Sequence, residues 1–148
     1  MPPQPIEVAR NQWGAILHHP AQRTLELQWF ASTRQMTDDD FKSSLELYAT
    51  AAEQLRPIAC MLIDSREFLH TFGDPGVMRW RDEHIIPRYN AAGVEKFAFV
   101  MPEGSSGTVE SGSAPSVEGP ATYPTAWFSS RERAESWLAA DAQARASS

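Results

Sequence analysis

Two segments, Ile58-Ala59-Cys60-Met61-Leu62-Ile63 and Phe97-Ala98-Phe99-Val100-Met101, contain no polar residue at all. A strand with one wet face alternates apolar and polar side chains, because successive residues point to opposite sides. A strand that does not alternate must be covered on both faces. The usual solution is a central position in a sheet carrying helices above and below. These two segments therefore set the class as α/β. At 148 residues the chain fits a single domain, 1–148, large enough to bury a core without metal or disulfide staples.

The remaining elements arrange themselves around that pair. Trp13–His18 and Thr24–Phe30 read as strands joined by the turn His19-Pro20-Ala21-Gln22-Arg23, an antiparallel hairpin. In the second of them Leu25, Leu27 and Trp29 alternate with Glu26 and Gln28, which predicts one buried and one solvated face. Thr37 followed by Asp38, Asp39 and Asp40 is a helix start, with Met36 and Phe41 placed to form a hydrophobic staple. Phe41, Leu45, Tyr48, Ala52 and Leu55 then share one helical face up to the stop at Pro57. Asp74 and Pro75 predict the cap and first position of a second helix, with Met78, Ile85, Tyr89 and Ala92 on its apolar stripe. Pro87 should kink that helix and Gly93 should end it.

Residues 102–124 are rich in Gly, Ser and Pro without periodicity, a flexible loop or a functional cover. Thr125-Ala126-Trp127-Phe128 returns to strand. Ser129 and Glu132 then form a capping box for a last helix burying Ala134, Trp137 and Leu138, and 141–148 reads as a frayed tail. The order is β-β-α-β-α-β-β-α, with a core over about 6–140. It implies a mixed, roughly five-stranded sheet with right-handed crossovers between its parallel strands.

Composition narrows the partners. A formal charge of −6 without a Lys/Arg cluster speaks against nucleic acid and against charge-driven docking on anionic lipid. No apolar run approaches the roughly 18 residues of a membrane span. Met1-Pro2-Pro3-Gln4-Pro5 lacks the charged and apolar regions of a signal peptide, so an integral membrane protein is not expected. The lone cysteine, Cys60, suits a reducing cytoplasm and reads as core filler rather than nucleophile. The partner expected is a protein or a small apolar molecule, with no cofactor. Exposed edge strands leave a homodimer open.

Several segments together carry a family resemblance: Leu25-Glu26-Leu27-Gln28-Trp29, Met36-Thr37-Asp38-Asp39-Asp40-Phe41, Leu62-Ile63-Asp64-Ser65-Arg66, Gly93-Val94-Glu95-Lys96-Phe97-Ala98-Phe99-Val100, and Thr125-Ala126-Trp127-Phe128 with Glu132, Ala134, Trp137 and Leu138 behind it. The pattern resembles the SpoIIAA-like proteins of the STAS/SEC14 superfamily. That resemblance implies a non-enzymatic domain that regulates by docking a protein partner. Its SEC14 side implies instead an apolar ligand or lipid held between sheet and helices. The phosphorylatable serine motif of the anti-sigma-factor antagonists has no counterpart here, since the corresponding helix opens with Asp74-Pro75-Gly76.

Ligands of open α/β sheets gather at the carboxyl ends of the strands. Asp64, Ser65 and Arg66 leave the first apolar strand at such an edge, and Asp74 begins a helix soon after. Arg66 with helix-start amides could hold an anion; equally, Asp64 could cap a turn and Arg66 pair with a surface acid. A carboxylate at Asp74 could imitate a permanent phosphate or be an ordinary cap. Trp80 lies off its helix's apolar stripe, so it could anchor a partner or pack beneath the long loop. An enzyme would have to use Asp64, Arg66 and a histidine. No catalytic residue is assigned, because a Ser65–His84–Asp82 arrangement has no nucleophile elbow, and Asp82 and His84 face different sides of a helix. His18, His19, His70 and His84 do not assemble a metal site by spacing, and the glycines at 104, 107, 112 and 119 spell no phosphate loop.

Overall fold

The demand of the two apolar segments for cover on both faces is met at the centre of one sheet. The computed structural model describes the backbone of residues 4–147 and the side chains of residues 4–140. In chain order the elements are β1 (Ile6–Arg10), β2 (Gly14–His19), β3 (Thr24–Trp29), α1 (Asp38–Gln54), β4 (Cys60–Asp64), α2 (Val77–His84), α3 (Ile86–Ala91), β5 (Lys96–Val100), β6 (Ser116–Val117), β7 (Pro124–Phe128) and α4 (Arg131–Ser147). The sheet order is β1-β2-β3-β4-β5-β7-β6. β3, β4, β5 and β7 run parallel, while β1 and β2 at one end and β6 at the other add antiparallel pairs.

The sheet has seven strands where about five were expected, and both additions are edges. β1 leaves Ile6 and Val8 exposed, so no buried stripe marks it in the sequence. β6 is two residues inside the Gly/Ser/Pro-rich stretch and exists through its pairing with β7, Ser116 opposite Thr125 and Val117 opposite Pro124. That stretch also holds a 3₁₀ turn at Val109–Ser111 whose Thr108 and Ser111 side chains cap each other's backbone. β4 runs on to Asp64, which pairs with both Gln28 and Val100; apolar character ends one residue before strand hydrogen bonding does.

The pleat sorts the side chains into two cores. Leu25, Leu27, Trp29, Met61, Ile63 and Phe97 face α1, α2 and α3. Leu62, Ala98, Val100, Ala126 and Phe128 face Ala134 and Leu138 of α4. α1 starts as its sequence requires: Thr37 Oγ1 accepts from the Asp40 N–H at 3.1 Å and Asp40 returns a carboxylate to the Thr37 N–H at 2.9 Å. The Tyr48 hydroxyl, fully buried on α1, donates to the Leu25 carbonyl at 2.6 Å and accepts from the Leu62 N–H at 3.2 Å, joining β3 to β4.

Pro87 does more than kink a helix: it divides the expected one into α2 and α3, with Ile85 at the joint. Gly93 follows α3 at φ 90°, the left-handed conformation that suits a glycine after a helix end. Two expected caps move. Asp74 sits one turn ahead of α2, its Oδ1 accepting from the Gly76 N–H at 2.8 Å, and Gly76 occupies the cap itself. At α4 it is Ser130 that caps, its hydroxyl accepting from the Arg133 N–H at 3.3 Å, because Ser129 gives its own N–H to Glu110 at 2.8 Å. Helical backbone runs to Ser147, and the reading of 1–3 falls outside the described residues.

Candidate functional site

Four parallel strands deliver their carboxyl ends to one rim, and β4 and β5 leave it side by side. There the pleat separates neighbours in sequence. Asp64 turns to the α4 face, with Arg131 Nη1 at 3.6 Å from its Oδ2, whereas Ser65 lines a cavity on the opposite face. Arg66 folds back on Asp64 in a fork, Nε to Oδ1 at 3.0 Å and Nη2 to Oδ2 at 2.7 Å, and its own N–H meets Oδ1 at 3.2 Å. The expected trio thus becomes an ion pair on one face and a serine on the other.

The α4 face holds a charge cluster that the sequence pattern hid. Glu26 is fully buried rather than solvated, because the side chains of Arg131 at the start of α4 and His19 of β2 close over it. Arg131 grips it through two hydrogen bonds of 2.7 and 2.6 Å, and His19 Nε2 lies 2.9 Å from Oε1. Burial pushes the Glu26 pKa up, but hydrogen bonds from Arg131 and His19 and the Arg131 charge overcome it, bringing the carboxyl down to about 2. Arg131 also meets Glu135 at 2.9 Å. Each carboxylate here is engaged, so the cluster locks α4 to the sheet and offers no open position for a ligand.

The other face is open. A cavity of about 560 Å³ lies on β5 and β7, with Phe97, Phe99, Thr125 and Trp127 as its floor. Met78, Ile86 and Tyr89 of α2 and α3 form one wall, and Phe41 of α1 with Phe68 and Phe72 of the segment after β4 form another. The stretch between β5 and β7 covers it through Pro102, Ser105, Glu118, Ala121 and Tyr123. Phe99 and Trp127 lie stacked, centroids 5.7 Å apart and planes 7° apart, and Phe97 stacks on Tyr123 at 5.9 Å. Size and lining are those of a small-molecule site: mostly aromatic and aliphatic, with few polar groups.

The walls are held by polar side chains outside the cavity. Asp38, first residue of α1, accepts from the N–H of Gly73 and of Asp74 and from His70 Nε2 at 2.8 Å. The Gly73 amide, followed by His70 and Asp74, keeps its carboxyl below the ordinary range despite the opposing effect of burial. Asp74 is therefore exposed and tied back to α1 through its own N–H. Asn90 on α3 secures the cover: its Nδ2 donates to the Pro120 carbonyl at 2.9 Å, and its Oδ1 accepts from the Thr122 N–H and hydroxyl, each at 3.0 Å.

Trp80 lies outside the cavity, half-buried with Lys42 Nζ 5.5 Å from its ring centroid and His84 beside it at 6.2 Å. Cys60 is buried against the Leu138 carbonyl, and burial pushes its thiol pKa up, away from nucleophilic use. Among the described residues no group of three or more His, Cys, Asp or Glu could hold a metal ion, and no helix is long and apolar enough to cross a membrane. The sequence allowed an apolar ligand between sheet and helices under the loop at 102–124, but none of the residues singled out there except Ser65 lines the cavity, because its strand and helix aromatics stand at core spacing; their number on β5 and β7, beside a long loop, was the available signal. No family model, no curated protein and no solved structure matches this chain.

Proposed function

We propose that the domain binds a small apolar molecule in the cavity over β5 and β7, with residues 102–123 as its cover. The observation that carries this reading is the space itself: a half-open cleft of about 560 Å³ walled largely by aromatic rings, the size and lining of a small-molecule site. The resemblance to SpoIIAA-like proteins of the STAS/SEC14 superfamily, whose SEC14 side implies an apolar ligand, leads to the same kind of ligand. A titration with a graded series of n-alkanols tests it, read by the fluorescence of Trp29 and Trp127, which both line the cavity. Affinity should rise with chain length to a limit set by the space, and Ala121→Phe should weaken binding at least tenfold with far-ultraviolet circular dichroism unchanged. Alkanols without effect on the wild type, or binding equally to the blocked variant, would contradict it.

A second reading, docking of a protein partner in the STAS manner, draws on the exposure of Leu69 and Phe72 just before α2. Arg66, committed to Asp64, and Trp80, under Lys42, give it less support.

A further inference from the structure

The cavity is not uniformly apolar, and its polar groups are selective. Tyr89 and Tyr123 both line it and are each only 3% exposed. Neither hydroxyl makes a hydrogen bond to any described residue, and neither oxygen is sealed from access. Two such phenols are unusual, since buried tyrosine hydroxyls normally find a partner. Burial holds both far above the ordinary tyrosine pKa, an effect that the nearby Arg81 charge only partly offsets, so both are neutral donors at working pH.

Among the described residues, Arg81 on α2 is the one cationic side chain on the cavity lining. Its guanidinium carries five N–H groups. Asp82 takes two of its nitrogens through a single carboxylate oxygen, at 3.1 and 3.4 Å, in a pair that is about one-third exposed on each side. The rest of the fork is uncommitted. The other charged lining residue, Glu118, is exposed on the cover and accepts from the Ser116 hydroxyl at 2.9 Å. A guanidinium and two donor phenols beside stacked aromatic walls match a planar acceptor on an aromatic body.

We infer that the ligand is an aromatic carboxylic acid, its ring system lying among Phe97, Phe99 and Trp127 and its carboxylate received by Arg81, Tyr89 and Tyr123. This rests on the cavity reading above and adds the ligand class to it. Calorimetric titration with 2-naphthylacetic acid and with its isosteric primary amide, at pH 7, separates the two. The acid should bind the wild type at least tenfold more tightly than the amide. Arg81→Gln should remove most of that preference, and Tyr89→Phe/Tyr123→Phe should weaken the acid at least fivefold, all with unchanged far-ultraviolet circular dichroism. An amide that binds as well as the acid, or an acid preference surviving Arg81→Gln, overturns the ligand class. If alkanols bind but the acid does not, the ligand class falls and the cavity reading stands; if nothing binds, both fall together.

Discussion

Replacing Arg131 with Gln should destabilise the domain strongly, and in a pH-dependent way. Arg131, 105 residues away in sequence, supplies two of the three hydrogen bonds that hold the buried Glu26 carboxylate, and His19 the third. The Glu26 pKa falls from 4.5 to about 2 on folding. At 1.36 kcal/mol per unit this corresponds to about 3 kcal/mol, of the same order as the 3–5 kcal/mol typical of breaking a buried pair. The sign follows from the depressed folded value: the wild type has this contribution in full above about pH 4.5 and loses it as the pH falls toward 2. In Arg131→Gln the carboxylate is left in the same burial without its cation, so its pKa should rise and its cost should vanish on protonation. Urea unfolding at pH 7 should therefore show a loss of about 3 kcal/mol, shrinking by half or more at pH 4. The double variant Glu26→Gln/Arg131→Gln should be more stable at pH 7 than Arg131→Gln alone. A loss under about 1 kcal/mol at pH 7, or one that does not change between pH 7 and 4, would refute the view of this cluster as the lock of α4.

Asn90→Ala should free the cavity's cover: amide exchange of residues 116–122 should speed up at least tenfold with β4 and β5 still protected, and unchanged exchange there would show that Asn90 does not hold it. Thr37→Ala removes the capping box of α1 and should cost about 1 kcal/mol in thermal or urea unfolding, against no measurable change if the cap were ornamental. Tyr48→Phe strips the hydroxyl that joins β3 to β4 and leaves a buried N–H on Leu62 unanswered; about 2 kcal/mol should be lost, and a neutral result would mean the ladder closes without it.

What the chain discloses without coordinates follows from how local its causes are. The central strands, the Thr37 cap and the break at Pro87 depend on residues within a few positions of each other, and each is readable. Glu26 is not. Its alternation with Leu25 and Leu27 is the pattern of a wet face, and only the docking of α4 with Arg131 makes it a buried ion. The candidate site divides the same way. Asp64 and Ser65 adjoin at the expected rim, yet the pleat sends them to opposite faces. Phe97, Phe99 and Trp127 have the spacing of core residues whether the space above them is filled or empty, and Tyr123 stands in a stretch with no periodicity at all. Spacing reports which face a residue takes; it does not report the volume across from it.

The most direct examination of the cavity's role is a search for nuclear Overhauser contacts between 1-octanol, added to isotope-labelled protein, and the protein's aromatic protons. Contacts to Phe99, Tyr123 and Trp127 that disappear in Ala121→Phe would place the apolar guest where the structure leaves room for it. Contacts confined to the exposed Ile6, Val8 or Leu69, or unaltered by the substitution, would contradict that role.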